Sequence, residues 1–336
     1  MEMCQVRDVV EKSYGIKPLD IEKIKNVYKI KTSEKNYCLK LVKYELPHCL
    51  FILNAIKHLK RKGFNNVLDI IPAGDGLDYI KFGSYFACLT EWVQARECNY
   101  DNPLDLIIAA STLANLHNKS TGFVVTNNMR PRVQWLKWPG IFETRINEIL
   151  DFKKRIEAKS ILTEFDNLYI SMMEEEIKRA EKAREDLLKS NYITKMKKEI
   201  LNRGFCHHDF AHHNVLIGKG GKVYIIDFDY CTLDTHLHDL CSLLIRRMKN
   251  GKWDVENAEF ILDAYSVIKP VHQEDIAIMA AFMEFPQDYW QIGIQYYWEK
   301  QPWGEEFFEN KLKKNYIDRQ QKQEFVEDFM VLKYGG

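Results

Sequence analysis

The chain has no excess charge of either sign and no long apolar run. Its 336 residues include 48 lysines and arginines against 48 aspartates and glutamates, so the formal net charge is zero. Such a balance argues against a dedicated binder of nucleic acid or of anionic membranes. No apolar run reaches the ~18 residues that a transmembrane helix needs, and Arg7, Asp8 and Glu11 leave no apolar signal-peptide core. We therefore expect a cytosolic protein with no nucleic-acid partner and no membrane span.

Cysteine is also scarce. The eight cysteines are too dispersed for a disulfide scaffold, and none of them forms a C-x-x-C pair. We interpret them as free or buried thiols in a reducing compartment. The hydrophobic share of 46% and the charged share of 29% exclude a disordered or fibrous chain. Because a domain usually has about 100–200 residues, the length predicts two domains or one large two-lobed unit.

The hydrophobic period predicts a small α+β region at the start of the chain. Alternating residues at 27–31 and 37–42 predict two strands around a polar turn, which is typical of a hairpin. Apolar residues at helical spacing over 50–59 predict a helix that ends at Gly63. Strand-like runs return over 67–93.

After these strands the pattern predicts mainly helices. Asn102 and Pro103 are typical of an N-cap and a first helical residue. A long helix is predicted over 165–190. Glu174 with Lys178, and Glu175 with Arg179, have the i,i+4 spacing of ion pairs on its exposed face.

A predicted β-hairpin interrupts the helices at 214–227, and the residues around it carry the chemistry. Asp209 lies on the loop before it, Asn214 begins its first strand and Asp227 ends its second. Because a hairpin returns the chain to its starting end, these three side chains should lie close together. Their oxygens suit Mg²⁺, which favours Asn214 and Asp227 as metal ligands. Asp209, one loop away, suits the acceptance of a proton from an attacking hydroxyl.

The segment His207-x-Asp209-x₄-Asn214, followed by Ile226-Asp227, resembles the catalytic loop and metal-binding segment of the aminoglycoside phosphotransferase and choline kinase group. The resemblance implies an α+β, two-lobed protein-kinase-like fold, with a small β-rich N-lobe and a larger, mostly helical C-lobe. It implies ATP and Mg²⁺ as cofactors and a hydroxyl group of an unidentified acceptor as the target. It also implies that Asp209 is the catalytic base, that Asn214 and Asp227 bind Mg²⁺, and that His207 organises the loop.

The same resemblance implies further site residues elsewhere in the chain. Lys40 matches the strand lysine that contacts the ATP phosphates, and Thr90-Glu91-Trp92-Val93 matches the hinge between lobes. Backbone groups of Glu91 and Val93 would then meet the adenine. Asp239, in His238-Asp239-Leu240, would brace the catalytic loop from the next helix.

The implied lobes have definite bounds. Residues 1–93 would form the nucleotide-binding N-lobe, and 94–336 the helical C-lobe that carries the catalytic loop. Helices inserted at about 130–200 would belong to the C-lobe and shape the acceptor site.

Three segments resemble the spore coat protein S family of spore-forming bacilli more narrowly. They are Glu-Trp-Val-x-Ala-Arg-Glu-Cys at 91–98, Asp-Phe-Ala-His-His-Asn at 209–214 and Phe-Pro-Gln-Asp-Tyr-Trp at 285–290. This likeness implies synthesis in the mother-cell cytoplasm, a place in the spore coat, and other spore coat proteins as partners.

The sequence departs from the kinase-like pattern in the small lobe. The stretch 24–36 has no glycine, so the flexible glycine-rich loop over the phosphates is missing. The helix at 50–62 has no glutamate to pair with Lys40, and Glu45 is the acidic residue nearest to it in the chain. Two hypotheses therefore stay open. The chain is either an ATP-dependent phosphotransferase or a structural spore coat pseudokinase with a vestigial nucleotide site.

The histidines suggest a further alternative. Six of the ten lie between 207 and 238, and His208-Asp209 with His238-Asp239 would suit a metal-dependent phosphohydrolase. Such enzymes place these dyads on helices, whereas a β-hairpin follows directly here. We expect most of these histidines to pack or to hydrogen-bond. The aromatic run at 289–298 could line a substrate cleft, but its helical spacing is more typical of a core or an interface.

Overall fold

In the computed structural model, which describes residues 3–335, the chain forms two compact units. The first contains the residues up to Val133 together with Arg203–Leu233. The second contains Gln134–Asn202 together with the residues from Asp234 onward. Each unit is therefore built from two separate stretches of the chain. The division into lobes at residue 93, which the sequence predicts, stays a prediction.

The first unit carries all of the strands among residues 3–335. Its helices are α1 (Met3–Tyr14), α2 (Leu46–Arg61) and α3 (Pro103–Ser120). Its strands are β1 (Asp20–Ile24), β2 (Val27–Lys31), β3 (Asn36–Val42), β4 (Ile70–Ile71), β5 (Ile80–Phe82), β6 (Tyr85–Glu91), β7 (Ala95–Glu97), β8 (Arg132–Val133), β9 (Val215–Gly218), β10 (Val223–Ile225) and β11 (Thr232–Leu233).

The main sheet is antiparallel and has the order β1-β2-β3-β6-β4, with β5 also paired to β6. The predicted hairpin is confirmed as β2 and β3, but β1 precedes it, so Lys40 lies in the third strand. Val6 and Val10 of α1 pack with Tyr28 and Ile30 of β2 in one buried cluster. Apolar and polar residues alternate along these strands because one face of the sheet is buried in this cluster.

The predicted helices of the first unit are confirmed. α2 covers the predicted span and ends two residues before Gly63, which has a φ of 79°. At the start of α3, Asn102 Oδ1 accepts hydrogen bonds from the N–H groups of Leu104 and Asp105 at 3.0 and 3.2 Å. These bonds satisfy two of the backbone donors that a helix leaves unpaired at its N-terminus.

A second sheet, of order β10-β9-β7, contains the predicted hairpin as β9 and β10. Gly220 and Gly221 form its turn with φ values of 71° and 75°, a region that most side chains avoid. The N–H of Ile225 donates to the carbonyl of Asn66 at 2.6 Å, and Val67 forms a bridge with Ile225. The hairpin is thus attached to the segment that leads into β4 of the main sheet.

Among the described residues of the second unit, all regular secondary structure is helical. Its helices are α4 (Trp138–Glu157), α5 (Glu164–Lys189), α6 (Tyr192–Asn202), α7 (Leu237–Met248), α8 (Val255–Ser266), α9 (Gln273–Glu284), α10 (Gln287–Gly293) and α11 (Glu305–Met330), with a π-helical turn at Ile294–Trp298. The predicted helical insert at about 130–200 corresponds to α4, α5 and α6. Its role at an acceptor site stays a prediction.

Aromatic residues form the core of this second unit. Tyr169 and Tyr289 stack with 4.2 Å between ring centroids, and each hydroxyl donates to the other residue's backbone carbonyl. Phe152 stacks on Tyr297 at 5.5 Å. The prediction that the aromatic run belongs to a core is confirmed for Tyr289 and Tyr297, whereas Trp298 is 44% exposed.

Of the two exposed ion pairs predicted on α5, the pair between Glu174 and Lys178 is confirmed at 2.7 Å, and the pair between Glu175 and Arg179 is wrong. Arg179 is buried, with its Nε 3.2 Å from Glu284 and its Nη1 3.6 Å from Glu176. Glu175 instead pairs with Arg319 at 2.9 Å. Glu176 lies on α5 itself, whereas Glu284 lies on α9 and Arg319 on α11. Spacing along one helix carries no information about the charges that neighbouring helices supply.

Two expectations from composition agree with the structure. None of the helices within residues 3–335 is both long enough and apolar enough to cross a membrane. All eight cysteines are free thiols.

Acidification is expected to destabilise the second unit through His236. Its ring is buried, and its Nδ1 lies 2.9 Å from the Glu199 carboxylate. Burial lowers the pKa of His236 to about 4, against the attraction of Glu199. The unfolded chain takes up a proton here below about pH 6.5. Stability should therefore fall as the pH drops from 6.5, by up to about 3 kcal/mol at pH 4, which urea unfolding across this range would measure.

A pair of variants isolates this contribution. His236→Gln removes the titrating group and should make the stability profile less steep between pH 6.5 and 4. His213→Gln, at an exposed histidine, should follow the wild type. A His236→Gln profile as steep as that of the wild type would contradict the assignment.

Candidate functional site

The loop before β9 brings Asp209 and Asn214 into contact. His212–Asn214 form a 3₁₀ turn, and the Asn214 side chain is buried. Its Nδ2 donates to the backbone carbonyl of Asp209 at 2.9 Å and to the Asp209 Oδ2 at 3.1 Å. Because the amide nitrogen is engaged, Asn214 Oδ1 is the amide atom left to face a cation. The expected proximity of these two side chains is confirmed.

His207 connects this loop to the segment that carries Asp227. Its ring is fully buried, with Nε2 2.9 Å from the carbonyl oxygen of Ile226. Its Nδ1 accepts a hydrogen bond from the N–H of Asp209 at 3.3 Å. A single neutral tautomer, with the proton on Nε2, satisfies both contacts. His207 therefore holds the backbone on both sides of the site, as a loop-organising residue would.

β10 returns the chain so that Asp227 follows close to Asn214. The N–H of Ile226 donates to the carbonyl of Asn214 at 3.0 Å. Asp227 then adopts a left-handed backbone with φ 64° and ψ 65°, and His208 on the loop has a φ of 67°. Such conformations are uncommon for residues other than glycine and concentrate at functional sites. Two of them lie in the segments that carry the candidate chemistry.

Lys40 extends from β3 to the same segment. Its Nζ lies 2.5 Å from Asp227 Oδ1 and 2.5 Å from Asp229 Oδ1. Burial disfavours the charge of Lys40, but the two carboxylates outweigh burial and raise its pKa. Burial also disfavours the charge of Asp227, yet Lys40 lowers the pKa of Asp227 overall. Lys40 and Asp227 are therefore both charged at neutral pH.

Asp229 is the site residue that sequence reasoning missed. Sequence reasoning named Glu45 as the acidic residue nearest to Lys40 in the chain. In the structure Glu45 occupies the N-cap position of α2, and the ion-pair partners of Lys40 are Asp227 and Asp229. The available signal was the Asp-Phe-Asp spacing, which can place two carboxylates around one cation.

A cavity of about 370 Å³ is bounded by the main sheet, α2 and the β9–β10 hairpin of the first unit. Five of the predicted site residues line it: Lys40, Glu91, Val93, Asn214 and Asp227. Its size falls within the range of ~300–1,000 Å³ that small-molecule sites occupy.

Three thiols contribute to the apolar wall of this cavity: Cys38, Cys49 and Cys88. Cys88 lies directly opposite Lys40 in the sheet, and Cys38 is two residues before Lys40 in β3. Burial raises the pKa of Cys38 to about 12 and that of Cys88 to about 11, so both are protonated at neutral pH. They pack as small apolar groups. An apolar wall beside a buried cation suits a ligand with an apolar part and an anionic part.

Glu91 and Val93 lie where β6 leaves the main sheet. The N–H of Trp92 donates to the carbonyl of Asn36 at 2.9 Å. Because backbone groups of successive residues in a strand point to opposite edges, those of Glu91, the last residue of β6, point away from β3. Glu91 and Val93 both line the cavity. The predicted hinge and its contact with adenine stay predictions.

Asp239 lies in the second unit, in the first turn of α7, and is fully buried. Its Oδ1 is 3.6 Å from Nδ1 of His238. Its predicted role as a brace for the catalytic loop stays a prediction.

The histidine-rich segment has mixed surroundings. His207 is buried and hydrogen-bonded, whereas His212 and His213 are exposed. His208 lies on the bend of the loop rather than on a helix. The His208-Asp209 dyad therefore lacks the helical placement expected for a phosphohydrolase, whereas His238 and Asp239 do lie in the first turn of α7.

The donor set beside Asn214 and Asp227 fits a divalent cation. Asn214 Oδ1 and the second carboxylate oxygen of Asp227 are hard oxygen donors at the cavity wall, and Asp227 Oδ1 contacts Lys40. Mg²⁺ commonly takes one or two protein ligands and completes its shell with water and substrate phosphates. That Asn214 and Asp227 bind Mg²⁺ stays a prediction.

Solved structures of similar fold are phosphotransferases. An aminoglycoside phosphotransferase from Alicyclobacillus acidocaldarius subsp. acidocaldarius DSM 446 aligns with a TM-score of 0.80 at 21% identity, over 93% of this chain and 91% of that one. Spectinomycin phosphotransferase in complex with ADP and spectinomycin aligns with a TM-score of 0.69 at 16% identity, over 99% of each chain. These likenesses confirm the predicted α+β protein-kinase-like fold.

Sequence comparison gives a narrower group. The chain is 24% identical to spore coat protein S of Bacillus subtilis (strain 168) over 292 residues, which covers 84% of this chain and 80% of that protein. The predicted resemblance to spore coat protein S is confirmed. Residues 7–329 match the family model described as "Spore coat putative kinase YutH", and the chain belongs to that family.

Proposed function

We propose that this protein is an ATP-dependent phosphotransferase of the spore coat that transfers a phosphoryl group to a hydroxyl of its acceptor. The observation that carries the proposal is the position of Lys40. Its ammonium group lines the cavity and contacts Asp227, which lies beside Asn214 and the Asp209 loop. A scaffold protein has no need of a buried cation, two carboxylates and an amide oxygen at one cavity wall.

The side chains divide the work by charge and position. Lys40 attracts the phosphates of ATP. Asn214 and Asp227 hold Mg²⁺, which neutralises phosphate charge when it is bound. Asp209, held by Asn214 and by His207, orients the acceptor hydroxyl and accepts its proton. The catalytic contribution is therefore mainly positioning and charge stabilisation.

The nucleotide and the location are supported by relatives. Spectinomycin phosphotransferase, which shares the fold, was solved with ADP. The family description and the similarity to spore coat protein S support a place in the spore coat, with other coat proteins as partners. The apolar wall of the cavity next to Glu91 and Val93 suits an adenine base.

The alternative function is a structural coat pseudokinase, and two observations favour it. The turn between β1 and β2 carries no glycine, and the charge of Lys40 is already matched by Asp227 and Asp229. A scaffold of this kind would keep the fold without useful nucleotide affinity.

Calorimetry separates the two functions. Wild-type protein is expected to bind ATP saturably, and more tightly with Mg²⁺ than without it. Asp227→Ala should weaken the Mg²⁺-dependent binding by tenfold or more, a change of about 1.4 kcal/mol or more, because one metal ligand is lost.

Asp20→Ala serves as the control, since Asp20 is an exposed carboxylate that pairs with Lys31 on β1 and β2. It should bind ATP as the wild type does. Absence of binding at millimolar ATP, a free energy weaker than about −4 kcal/mol, would overturn the enzymatic proposal in favour of the scaffold.

A further inference from the structure

The turn between β1 and β2 has a lysine where a flexible glycine would be expected. Only Lys25 and Asn26 connect Ile24 to Val27, which are paired in the sheet. Lys25 has a φ of 52°, in the left-handed region that glycine usually occupies. The turn is therefore tight, and it presents an ammonium group instead of bare backbone.

The sheet register places this turn next to Lys40. Val27 is the cross-strand partner of Lys40, and the N–H of Leu41 donates to the carbonyl of Asn26 at 3.3 Å. Lys25 and Asn26 line the same cavity as Lys40 and Asp227. Asn36, which bonds to the hinge at Trp92, lies four residues before Lys40, or about 13 Å along the strand. The turn therefore lies at the end of the cavity remote from the predicted base contacts.

Of the two lysines that line the cavity, Lys25 is the one whose charge is available to a ligand. Two lysines line the cavity, Lys25 and Lys40, against the carboxylates of Glu91, Glu97, Asp227 and Asp229. Lys40 is engaged at 2.5 Å by two of these carboxylates. Lys25 is exposed at the rim, and among residues 3–335 no carboxylate lies within ion-pair distance of it.

We propose that Lys25 binds the terminal phosphates of the nucleotide and replaces the backbone cover of a glycine-rich loop by a charged side chain. This assignment rests on the proposed function, since it needs a nucleotide in the cavity. A polyphosphate brings several negative charges to a cavity in which Asp227 and Asp229 already neutralise the charge of Lys40. An ammonium at the rim adds charge-assisted contacts without a flexible loop. Lys25 is a binding residue and takes no part in proton transfer.

The test is calorimetry of adenosine and of ATP with Mg²⁺ on wild type, Lys25→Met and Lys25→Gly. Both variants are expected to bind ATP about tenfold more weakly than wild type, as the loss of one charge-assisted contact predicts. Both should bind adenosine unchanged. Lys25→Gly suits the positive φ, so a loss seen in both variants does not come from strain in the turn. Lys25→Arg should restore most of the ATP affinity.

Lys35→Met is the matched control, because Lys35 is an exposed lysine in the β2–β3 turn, at the other end of β2. It should bind ATP as the wild type does. Wild-type ATP affinity in Lys25→Met, or an equal loss of adenosine affinity, would overturn the assignment while the proposed function stands. A wild-type protein that binds no nucleotide would overturn the proposed function, and this assignment with it.

Discussion

Replacing Asp209 by asparagine is expected to slow phosphoryl transfer by about 10²–10⁴-fold, the usual contribution of a positioned general base. Asparagine keeps the shape of the side chain and an oxygen that can accept from Asn214 Nδ2, so the loop should keep its conformation. What it loses is the ability to accept a proton. ADP formation from ATP and Mg²⁺, measured with a panel of sugars, amino alcohols and coat-protein peptides, gives the rate. Calorimetry should show ATP affinity within about twofold of wild type, because Asp209 is not assigned to the nucleotide.

Asp75→Asn is the control for this experiment. Asp75 is exposed in a turn and accepts a hydrogen bond from the N–H of Leu77, which asparagine can also do. Its turnover should match that of the wild type. An Asp209→Asn protein with full turnover would refute the role of Asp209. Loss of ATP affinity in parallel with turnover would show that the residue supports the nucleotide site instead.

Replacing Lys40 by methionine is expected to destabilise the ligand-free protein by about 1–2 kcal/mol at neutral pH. Removal of one partner from a buried ion pair costs ~3–5 kcal/mol, and the smaller figure applies because the Asp227 side chain is 39% exposed. Methionine keeps most of the volume of the lysine side chain. The destabilisation therefore comes from leaving Asp227 and Asp229 close together without a cation.

The pH dependence of that loss identifies its cause. In the wild type the lowered pKa of Asp227 contributes stability that is present above its ordinary pKa and is lost as the pH falls through the folded value. In Lys40→Met, burial and Asp229 disfavour the charge, so the pKa of Asp227 should rise above its ordinary value. Stability of the variant then falls as the pH increases from about 4 to 7. Urea unfolding at several pH values should show the gap from wild type widening over this range.

Lys31→Met makes the same substitution in the same sheet and is the control. Lys31 pairs with Asp20 at 2.8 Å, but both side chains are exposed. Exposed pairs contribute little, so this variant should resemble the wild type at every pH. A constant gap between Lys40→Met and wild type from pH 4 to 7 would indicate lost packing rather than unpaired charge. Wild-type ATP affinity in Lys40→Met would contradict the proposal that Lys40 binds the phosphates of ATP.

Local signals predicted local structure well. Asn102 with Pro103 predicted the start of α3, and the structure has the Asn102 cap with two backbone hydrogen bonds. The glycine turn predicted the β9–β10 hairpin. These features depend on interactions among residues close in sequence, where backbone preferences and hydrogen-bonding side chains act directly. The strand β1 and the helix α1 were not predicted, because their apolar patterns are short and their burial depends on the rest of the sheet.

In the candidate site, too, contacts between residues close in sequence could be predicted, and contacts between distant residues could not. Asp209 and Asn214 are five residues apart, and the loop between them could be interpreted from spacing. Asp229 could not be assigned to Lys40 in the same manner, since 189 residues separate them. A carboxylate two residues after Asp227 has many conceivable partners until the fold supplies one. No sequence pattern indicated a role for Lys25, apart from the absence of glycine in the residues around it.

The sequence by itself determined the loop from His207 to Asn214 and the hairpin that returns to Asp227, and both follow from residue type and short-range spacing. The kinase-like class of the fold was implied by the resemblance of this loop to a known family. Only the tertiary structure decided that Lys40 pairs with Asp227 and Asp229, and that Lys25 lies at the rim of the same cavity. The physical reason is that an ion pair depends on which strand faces which loop, and on how much water their packing removes. Both are properties of the assembled sheet and hairpin.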